Sequence, residues 1–142
     1  MNKKHVPDLE LCQELDRLCK EKGIVVPETE FYWAQWDSFT PKTEPYVLVT
    51  KEYYDNEEFL LDAFPAPLVS EQGEWLPNER RDKLAFFSGL AINGWFCEVK
   101  NYRVMPYERF HVILQEDTEA NARMKCLLYL LENDIIDGNA FN

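Results

Sequence analysis

Residues 83–102, KLAFFSGLAINGWFCEVKNY, carry the strongest local structural signal in the chain. Apolar and aromatic side chains dominate both halves of this stretch, and the dipeptide Asn93-Gly94 lies between them. Asn-Gly between two such runs is typical of a two-residue type I′ turn, because both turn positions need a positive φ. We therefore predict an antiparallel hairpin, with one strand over residues 83–92 and the other over residues 95–102.

Two further elements follow this hairpin. Residues 108–116 are predicted as another strand, because apolar residues there alternate with other residue types at Phe110, Val112 and Leu114. A long helix comes next, with Thr118 as its N-cap and Gly138 closing it. Its apolar positions keep a helical period and are Ala120, Met124, Leu127, Leu128, Leu131 and Ile135.

The N-terminal half contains weaker signals. A helix is predicted from Asp8, its N-cap, to Gly23, its C-terminal stop, with Leu11, Leu15 and Leu18 on one face. Aromatic and β-branched residues predict strands over residues 31–36 and 46–50, joined by a hairpin loop. Residues 68–76 suit a short helix between two prolines, with one glycine weakening it. Residues 51–62 fit strand, short helix or irregular structure.

This order of elements predicts an α+β fold. Strands joined by short turns pair antiparallel, and amphipathic helices cover one face of such a sheet. We expect an antiparallel sheet of about five strands, with the N- and C-terminal helices packed on it and a short central helix. A chain of 142 residues is expected to form one α+β domain over residues 1–142.

Charge and cysteine usage bear on partners and compartment. The net charge is −11, and residues 28–74 alone carry eleven acidic and two basic side chains. An acidic balance disfavours direct nucleic-acid binding. The four cysteines form no C-x-x-C pair and are expected to be buried free thiols. Neither a secretory signal nor an apolar run of about 18 residues is visible. We expect no membrane association and a bacterial or host cytoplasmic location.

Three stretches together resemble a family of small proteins encoded by bacteriophages, prophages and mobile elements of gut bacteria. They are LCQELDRLCKEKGI followed by TEFYW within residues 11–33, APLVSEQGEWLP at 66–77, and EDTEANARMKCLLYLLENDII at 116–136. The chain departs from the family at Gln72, where an apolar residue is common, and around residues 51–62, where it is longer. The resemblance implies an accessory protein in a bacterial cytoplasm and no particular activity.

Catalytic, cofactor and metal motifs are missing from the sequence. It contains two histidines, so a Ser–His or Cys–His arrangement would have to be built on His111, which follows Arg109 along a predicted strand. No EF-hand loop, E-x-x-H pair or glycine-rich phosphate loop is present. We therefore predict no catalytic, cofactor-binding or metal-binding residues and lean towards a non-enzyme. The alternative is an enzyme with an unrecognised carboxylate-based site.

Aromatic residues are the unusual feature of the sequence. Neighbours on a strand alternate faces, so the pairs Tyr32-Trp33 and Phe86-Phe87 must place one ring on each side of a sheet. Either the second face is covered by helices and loops, or it binds a partner through Trp and Tyr side chains. A candidate partner surface is formed by Trp36, Tyr53, Tyr54, Glu57, Glu58 and Asp62.

Macromolecular binding is therefore the function that we expect, through a protein partner or self-association. The dense acidity of residues 28–74 raises one more alternative, an acidic DNA-mimic-type inhibitor of nucleic-acid-binding proteins. Ordinary solubility explains the same charge, because net charge acts first on solubility.

Overall fold

The computed structural model describes residues 5–36, 46–56, 60–76, 84–101 and 111–136. Within these ranges lie four helices and six strands. The helices are α1 (Leu9–Lys22), α2 (Lys51–Asn56), α3 (Val69–Trp75) and α4 (Glu119–Glu132). The strands are β1 (Phe31–Trp36), β2 (Val47–Thr50), β3 (Leu60–Pro65), β4 (Leu84–Ala91), β5 (Gly94–Asn101) and β6 (His111–Glu116).

The described strands form two separate antiparallel sheets of three strands each. One has the order β2-β1-β3 and the other β4-β5-β6. The α+β class is confirmed, but the expected single sheet of about five strands is not. The six strands do not join into one sheet because β3 pairs with the edge of β1 that β2 leaves open. Both sides of β1 are then occupied within residues 31–65, and β4 begins a new sheet with β5.

Within residues 51–62, which the sequence leaves ambiguous, the described parts are a helix over 51–56 and the start of a strand at residue 60. The short helix α2 directly follows β2, and β3 begins four residues after α2 ends. The pairing of β1 with β3 contains an irregularity between Gln35 and Trp36. A six-residue helix and a six-residue strand are both too short to show a clear period. Pairing with β1 makes the second of them a strand.

The predicted hairpin is present, but its turn differs from the prediction. Ala91 pairs with Gly94, so the two turn residues are Ile92 and Asn93. Among the described residues other than glycine, positive φ occurs at Asp134, so the turn is not type I′. Gly94 itself has φ 123°, and a Cβ there would lie 2.7 Å from the Glu116 carbonyl oxygen. The glycine is needed for this close approach of β6 rather than for the turn.

The larger core is built around α4. This helix contacts β4, β5 and β6 as well as α1 and α3. Its buried residues therefore extend beyond one stripe and include Ala122, Met124, Cys126, Leu127, Leu130 and Leu131. Leu15 and Leu18 of α1 pack into the same cluster, together with Trp75 and Leu76. The expected helical stripe is confirmed, and α4 is more enclosed than a helix lying on the surface of a sheet.

Both long helices have the expected start, and α1 also has the expected end. Gly23 has φ 71° and follows α1, and the Ile24 N–H donates to the Cys19 carbonyl at 2.8 Å, as in a Schellman ending. Thr118 caps α4 by accepting from the Asn121 N–H at 3.1 Å. The expected end of α4 at Gly138 is wrong, because the helix ends at Glu132.

Asn121 joins the starts of α1 and α4. Its Nδ2 donates to the Asp8 carboxylate at 3.0 Å, and its Oδ1 accepts from the Asp8 N–H at 2.8 Å. Asp8 occupies the N-cap position of α1 but makes no side-chain capping bond there. The predicted cap is thus correct in position, and its side chain serves a tertiary contact.

No helix among the described residues combines the length and the apolar character needed to cross a membrane.

Candidate functional site

A polar cluster of Ser88, Glu119 and Arg123 lies between α3, β4 and α4. The Ser88 hydroxyl donates to Glu119 Oε2 at 2.7 Å, and Arg123 Nε donates to the Ser88 oxygen at 3.0 Å. Arg123 Nη1 also donates to the Val69 carbonyl at 2.7 Å. The guanidinium further lies 5.2 Å from the Phe86 ring centroid, a distance at which a cation is attracted to the ring face.

These contacts hold α3, β4 and α4 together. The Arg123 side chain is 15% exposed and bonds to all three elements at once. A Cβ at Gly73 would lie 2.9 Å from Arg123 Nη1, so the glycine leaves room for the guanidinium beside α3. The Ser88 hydroxyl donates to Glu119 and accepts from Arg123, so both of its hydrogen-bonding functions are used inside the cluster.

The surface predicted from the sequence is divided by the first sheet. Tyr54 of α2 stacks on Tyr32 at 4.2 Å between ring centroids. Asp62 pairs across the strands with Gln35 and accepts from the Tyr46 hydroxyl at 3.0 Å. Tyr32 and Gln35 are three residues apart on β1, so their side chains lie on opposite faces. The structure therefore does not bring Tyr54 and Asp62 together.

The remaining members of that predicted surface are only partly described. Tyr53 is 48% exposed, and its backbone N–H donates to Thr50 Oγ1 at 3.3 Å. The side chain of Trp36 and the residues Glu57 and Glu58 lie outside the described part of the structure. The proposal of a shared surface for these residues stays a prediction.

Several carboxylates of the acidic segment have local partners. Lys51 Nζ lies 2.8 Å from Asp55 and 3.5 Å from Glu28. Glu71 accepts from the backbone N–H groups of Leu68 at 2.8 Å and Glu30 at 3.2 Å. Burial raises the pKa of Glu71, while the two backbone bonds lower it. These carboxylates hold helix ends and loops in place.

The two adjacent aromatic pairs have different environments. Tyr32 and Trp33 are both buried, at 6% and 8% exposure. Tyr54 stacks on the first, and the second donates its indole N–H to the Pro7 carbonyl at 3.0 Å. For this pair, helix α2 and the segment before α1 cover both sheet faces. The covered-face alternative is thus the correct one for β1.

The second pair leaves one ring exposed. Phe86 is partly buried and packs against the core around α4, whereas Phe87 is 61% exposed on the other face of β4. The Phe87 ring lies 5.8 Å from that of Phe96 on the neighbouring strand. Both rings border Gly89, where a Cβ would lie 3.3 Å from Phe87 and 3.2 Å from Phe96. The missing side chain lets the two rings lie close to the backbone.

Ile92, in the turn at the tip of the hairpin, is fully exposed. Leu90 is also 69% exposed, but it is three residues from Phe87 and therefore lies on the opposite face of β4. We call the set Phe87, Ile92 and Phe96 the hairpin surface. Residues 84–97 contain no charged side chain, although charged residues make up 29% of the chain. Contiguous exposed apolar area of this kind marks interaction sites.

Strand alternation, noted above for Phe86-Phe87, is the sequence signal that could have pointed to this surface. It shows that one ring must face away from the helices without showing which pair stays uncovered.

All four cysteines are buried free thiols, as expected. Burial raises the pKa of Cys19 to about 11 and raises the pKa of Cys12 further above its usual range. The pKa of Cys126 is raised by a hydrogen bond with Cys97 and by burial. A reactive cysteine needs an accessible thiolate, so these thiols serve packing.

The described residues contain no group of three or more His, Cys, Asp or Glu side chains arranged to hold a metal ion. The side chain of His111, on which a catalytic arrangement would depend, lies outside the described part of the structure.

Comparisons with protein-family models, with curated proteins and with solved structures found no match for this chain.

Proposed function

We propose that this protein acts by binding another protein through the hairpin surface. The observation that carries the proposal is the exposure of Phe87, 61%, in contact with Phe96 on a sheet face that turns away from α4. Leaving such a ring in water forgoes on the order of 2 kcal/mol of burial energy. A partner that covers it recovers this energy, which is why aromatic anchors dominate binding surfaces.

The charge distribution supports the same assignment. The chain has a net charge of −11, which keeps most of its surface hydrated and unsuited to dry contact. Residues 84–97 carry no charge, so a partner meets no buried unpaired charge there. Four free thiols suit a reducing compartment. We propose a bacterial cytoplasm as the place of action, in line with the resemblance to proteins of phages and mobile elements.

The test compares Phe87→Asp with the matched control Val25→Asp. Val25 is 86% exposed and lies outside the hairpin, so its substitution adds the same charge to another exposed apolar position. Each variant and the unaltered protein are immobilised and exposed to a bacterial lysate, and bound proteins are quantified by mass spectrometry. We expect a defined set of proteins whose capture falls at least about tenfold with Phe87→Asp, the loss of one central anchor.

The control variant shows whether a loss of capture is specific to Phe87. Val25→Asp must retain the captured set, and far-UV circular dichroism must show that both variants keep the fold. Equal capture by all three proteins would show that binding does not use the hairpin surface and would overturn the proposal.

A further inference from the structure

Asn93-Gly94 at the tip of the β4–β5 hairpin places an exposed side-chain amide directly before a glycine. Asn93 lies in the turn and is exposed to solvent, and its side chain makes no hydrogen bond or ion pair with another described residue. Glycine has no Cβ, so nothing on Gly94 shields its backbone nitrogen from the side-chain carbonyl carbon of Asn93, Cγ. The two atoms that form a succinimide ring are therefore neighbours without an obstacle between them.

We propose that Asn93 is a site of spontaneous deamidation, through which the hairpin surface acquires a charge as the protein ages. The Gly94 nitrogen loses its proton and attacks Asn93 Cγ. The new N–Cγ bond closes a succinimide ring, and the Cγ–Nδ2 bond breaks to release ammonia, which carries the proton away. Water then opens the ring at one of its two carbonyl carbons. Opening at Cγ gives aspartate, and opening at the backbone carbon gives isoaspartate. Water is the one co-reactant, and no enzyme is required.

Three other asparagines with described side chains lack this arrangement. Each is held through its side-chain nitrogen, which lies 2.8 to 3.0 Å from a carbonyl or carboxylate oxygen: Asn56, Asn121 and Asn133. None of them precedes a glycine, so the Cβ of the next residue shields the attacking nitrogen. These three reference asparagines are expected to keep their amides under conditions in which Asn93 reacts.

Ring closure requires the Asn93 backbone to leave its turn conformation, and the place of the turn makes this opening local. Ala91 and Gly94 are the last pair of the β4–β5 ladder, and such ends open without the rest of the sheet. The close approach of the Glu116 carbonyl to Gly94 opposes the motion, so the folded chain should react more slowly than the unfolded chain. Local opening slows a reaction by about thirtyfold or less. A reaction that had to await global unfolding would be slowed by about a thousandfold or more.

Both products place a carboxylate next to Ile92, at the tip of the hairpin surface. Residues 84–97 are otherwise uncharged, so a partner that covers this surface must strip water from the new charge. Deamidation therefore weakens that binding and acts as a slow, irreversible switch. This consequence rests on the proposed function, whereas the chemistry at Asn93 does not.

The test incubates the full chain in one mildly alkaline buffer, either folded or unfolded in guanidinium chloride, and digests samples with trypsin. Cleavage after Lys83 and Lys100 releases a peptide in which Asn93 is the one asparagine and which contains no glutamine. Mass spectrometry measures the gain in mass as an OH group replaces the NH₂ group, and chromatography separates the aspartate and isoaspartate forms. Asn93→Gln is the matched control, because its longer side chain must close a larger, less favourable ring.

We expect the folded protein to lose the Asn93 amide at a rate within about thirtyfold of that of the unfolded protein. The rate should rise with pH, because the Gly94 nitrogen must lose its proton, and both products should form. The reference asparagines and the Asn93→Gln variant should keep their amides over the same time. A slower reaction of the folded protein would show that the amide is lost only through wider unfolding and would overturn the proposal. Equal loss at the reference asparagines would overturn it too.

Capture from bacterial lysate separates the switch from the proposed function. Asn93→Asp supplies the carboxylate of one product directly, and it should lower capture by about fivefold or more, whereas Asn93→Gln should leave capture unchanged. A loss of capture with Phe87→Asp but not with Asn93→Asp would keep the proposed function and overturn the switch. Capture that does not depend on Phe87 would remove the proposed function, and the deamidation seen by mass spectrometry would stand.

Discussion

Gln72 is fully buried, and only one of the two polar atoms of its side-chain amide has a hydrogen-bond partner among the described residues. Its side chain lies in α3 with no exposed area, and Nε2 donates to the Ala120 carbonyl at 3.0 Å. Its Oε1 has no hydrogen-bond partner among the described residues. A buried acceptor without a donor costs about 1–3 kcal/mol. This position is therefore expected to gain stability from an apolar replacement.

Gln72→Met should raise the free energy of unfolding by about 1 kcal/mol, as the difference of two terms. Removing the unpaired oxygen stabilises by about 1–3 kcal/mol, and losing the Nε2 bond costs about 0.5–1.5 kcal/mol. The Ala120 carbonyl is not left unpaired, because within α4 it also accepts from the N–H four residues later. Methionine has nearly the length of glutamine and a flexible side chain that fits the same space.

Urea denaturation followed by circular dichroism measures this difference, with an unchanged m-value showing that the same surface unfolds. Gln72→Glu is the control, since it keeps the shape and adds a charge. It should destabilise by several kcal/mol at neutral pH. Burial raises the folded-state pKa of such a carboxyl, so the loss should shrink as pH falls through that pKa. If Gln72→Met instead destabilises by more than about 1 kcal/mol, then Oε1 has a partner, such as a buried water, and the reasoning fails.

Three further predictions concern backbone, tertiary contacts and thiols. Gly94→Ala should cost about 3 kcal/mol in urea denaturation, because φ 123° and a carbonyl 2.7 Å away both oppose a Cβ. Gly23→Ala, at φ 71° with no atom within 4 Å, should cost only about 1 kcal/mol; equal losses would contradict the steric argument. Asn121→Ala removes both bonds to Asp8 and should lower stability by about 2–3 kcal/mol in thermal unfolding, whereas no change would show that the contact contributes nothing. With its pKa raised to about 11, Cys19 and the other thiols should react with Ellman's reagent at pH 8 only after unfolding, and rapid reaction of the folded protein would refute burial as their protection.

Local signals account for most of the elements. The cap and stop residues of α1, Asp8 and Gly23, are where their backbone preferences place them. The hairpin around Asn93 was predictable because apolar runs flank a turn sequence. The turn type was not, since Gly94 is required by the approach of a strand more than twenty residues later. Short elements such as α2 and β3 gave no period, and the state of β3 depends on its pairing with β1.

The candidate site shows a similar division. Alternation on a strand already required that one ring of Phe86-Phe87 face away from the other. Whether that outer face is covered depends on where the helices pack, and helix packing is set by contacts between residues far apart in sequence. The same rule applied to Tyr32-Trp33, where α2 and the segment before α1 cover both rings. Sequence alone had no means to distinguish these two pairs.

The amino-acid sequence by itself determined the α+β class, the ends of α1 and the start of α4, and the position of the hairpin, because these depend on the backbone preferences of a few neighbouring residues. It also determined that residues 84–97 are free of charge. Tertiary structure alone decided that the six described strands form two sheets, that β5 is the one described strand beside β4, and that Phe87 is exposed. Strand pairing and burial join residues distant in the chain, and a local pattern does not specify which distant residues meet.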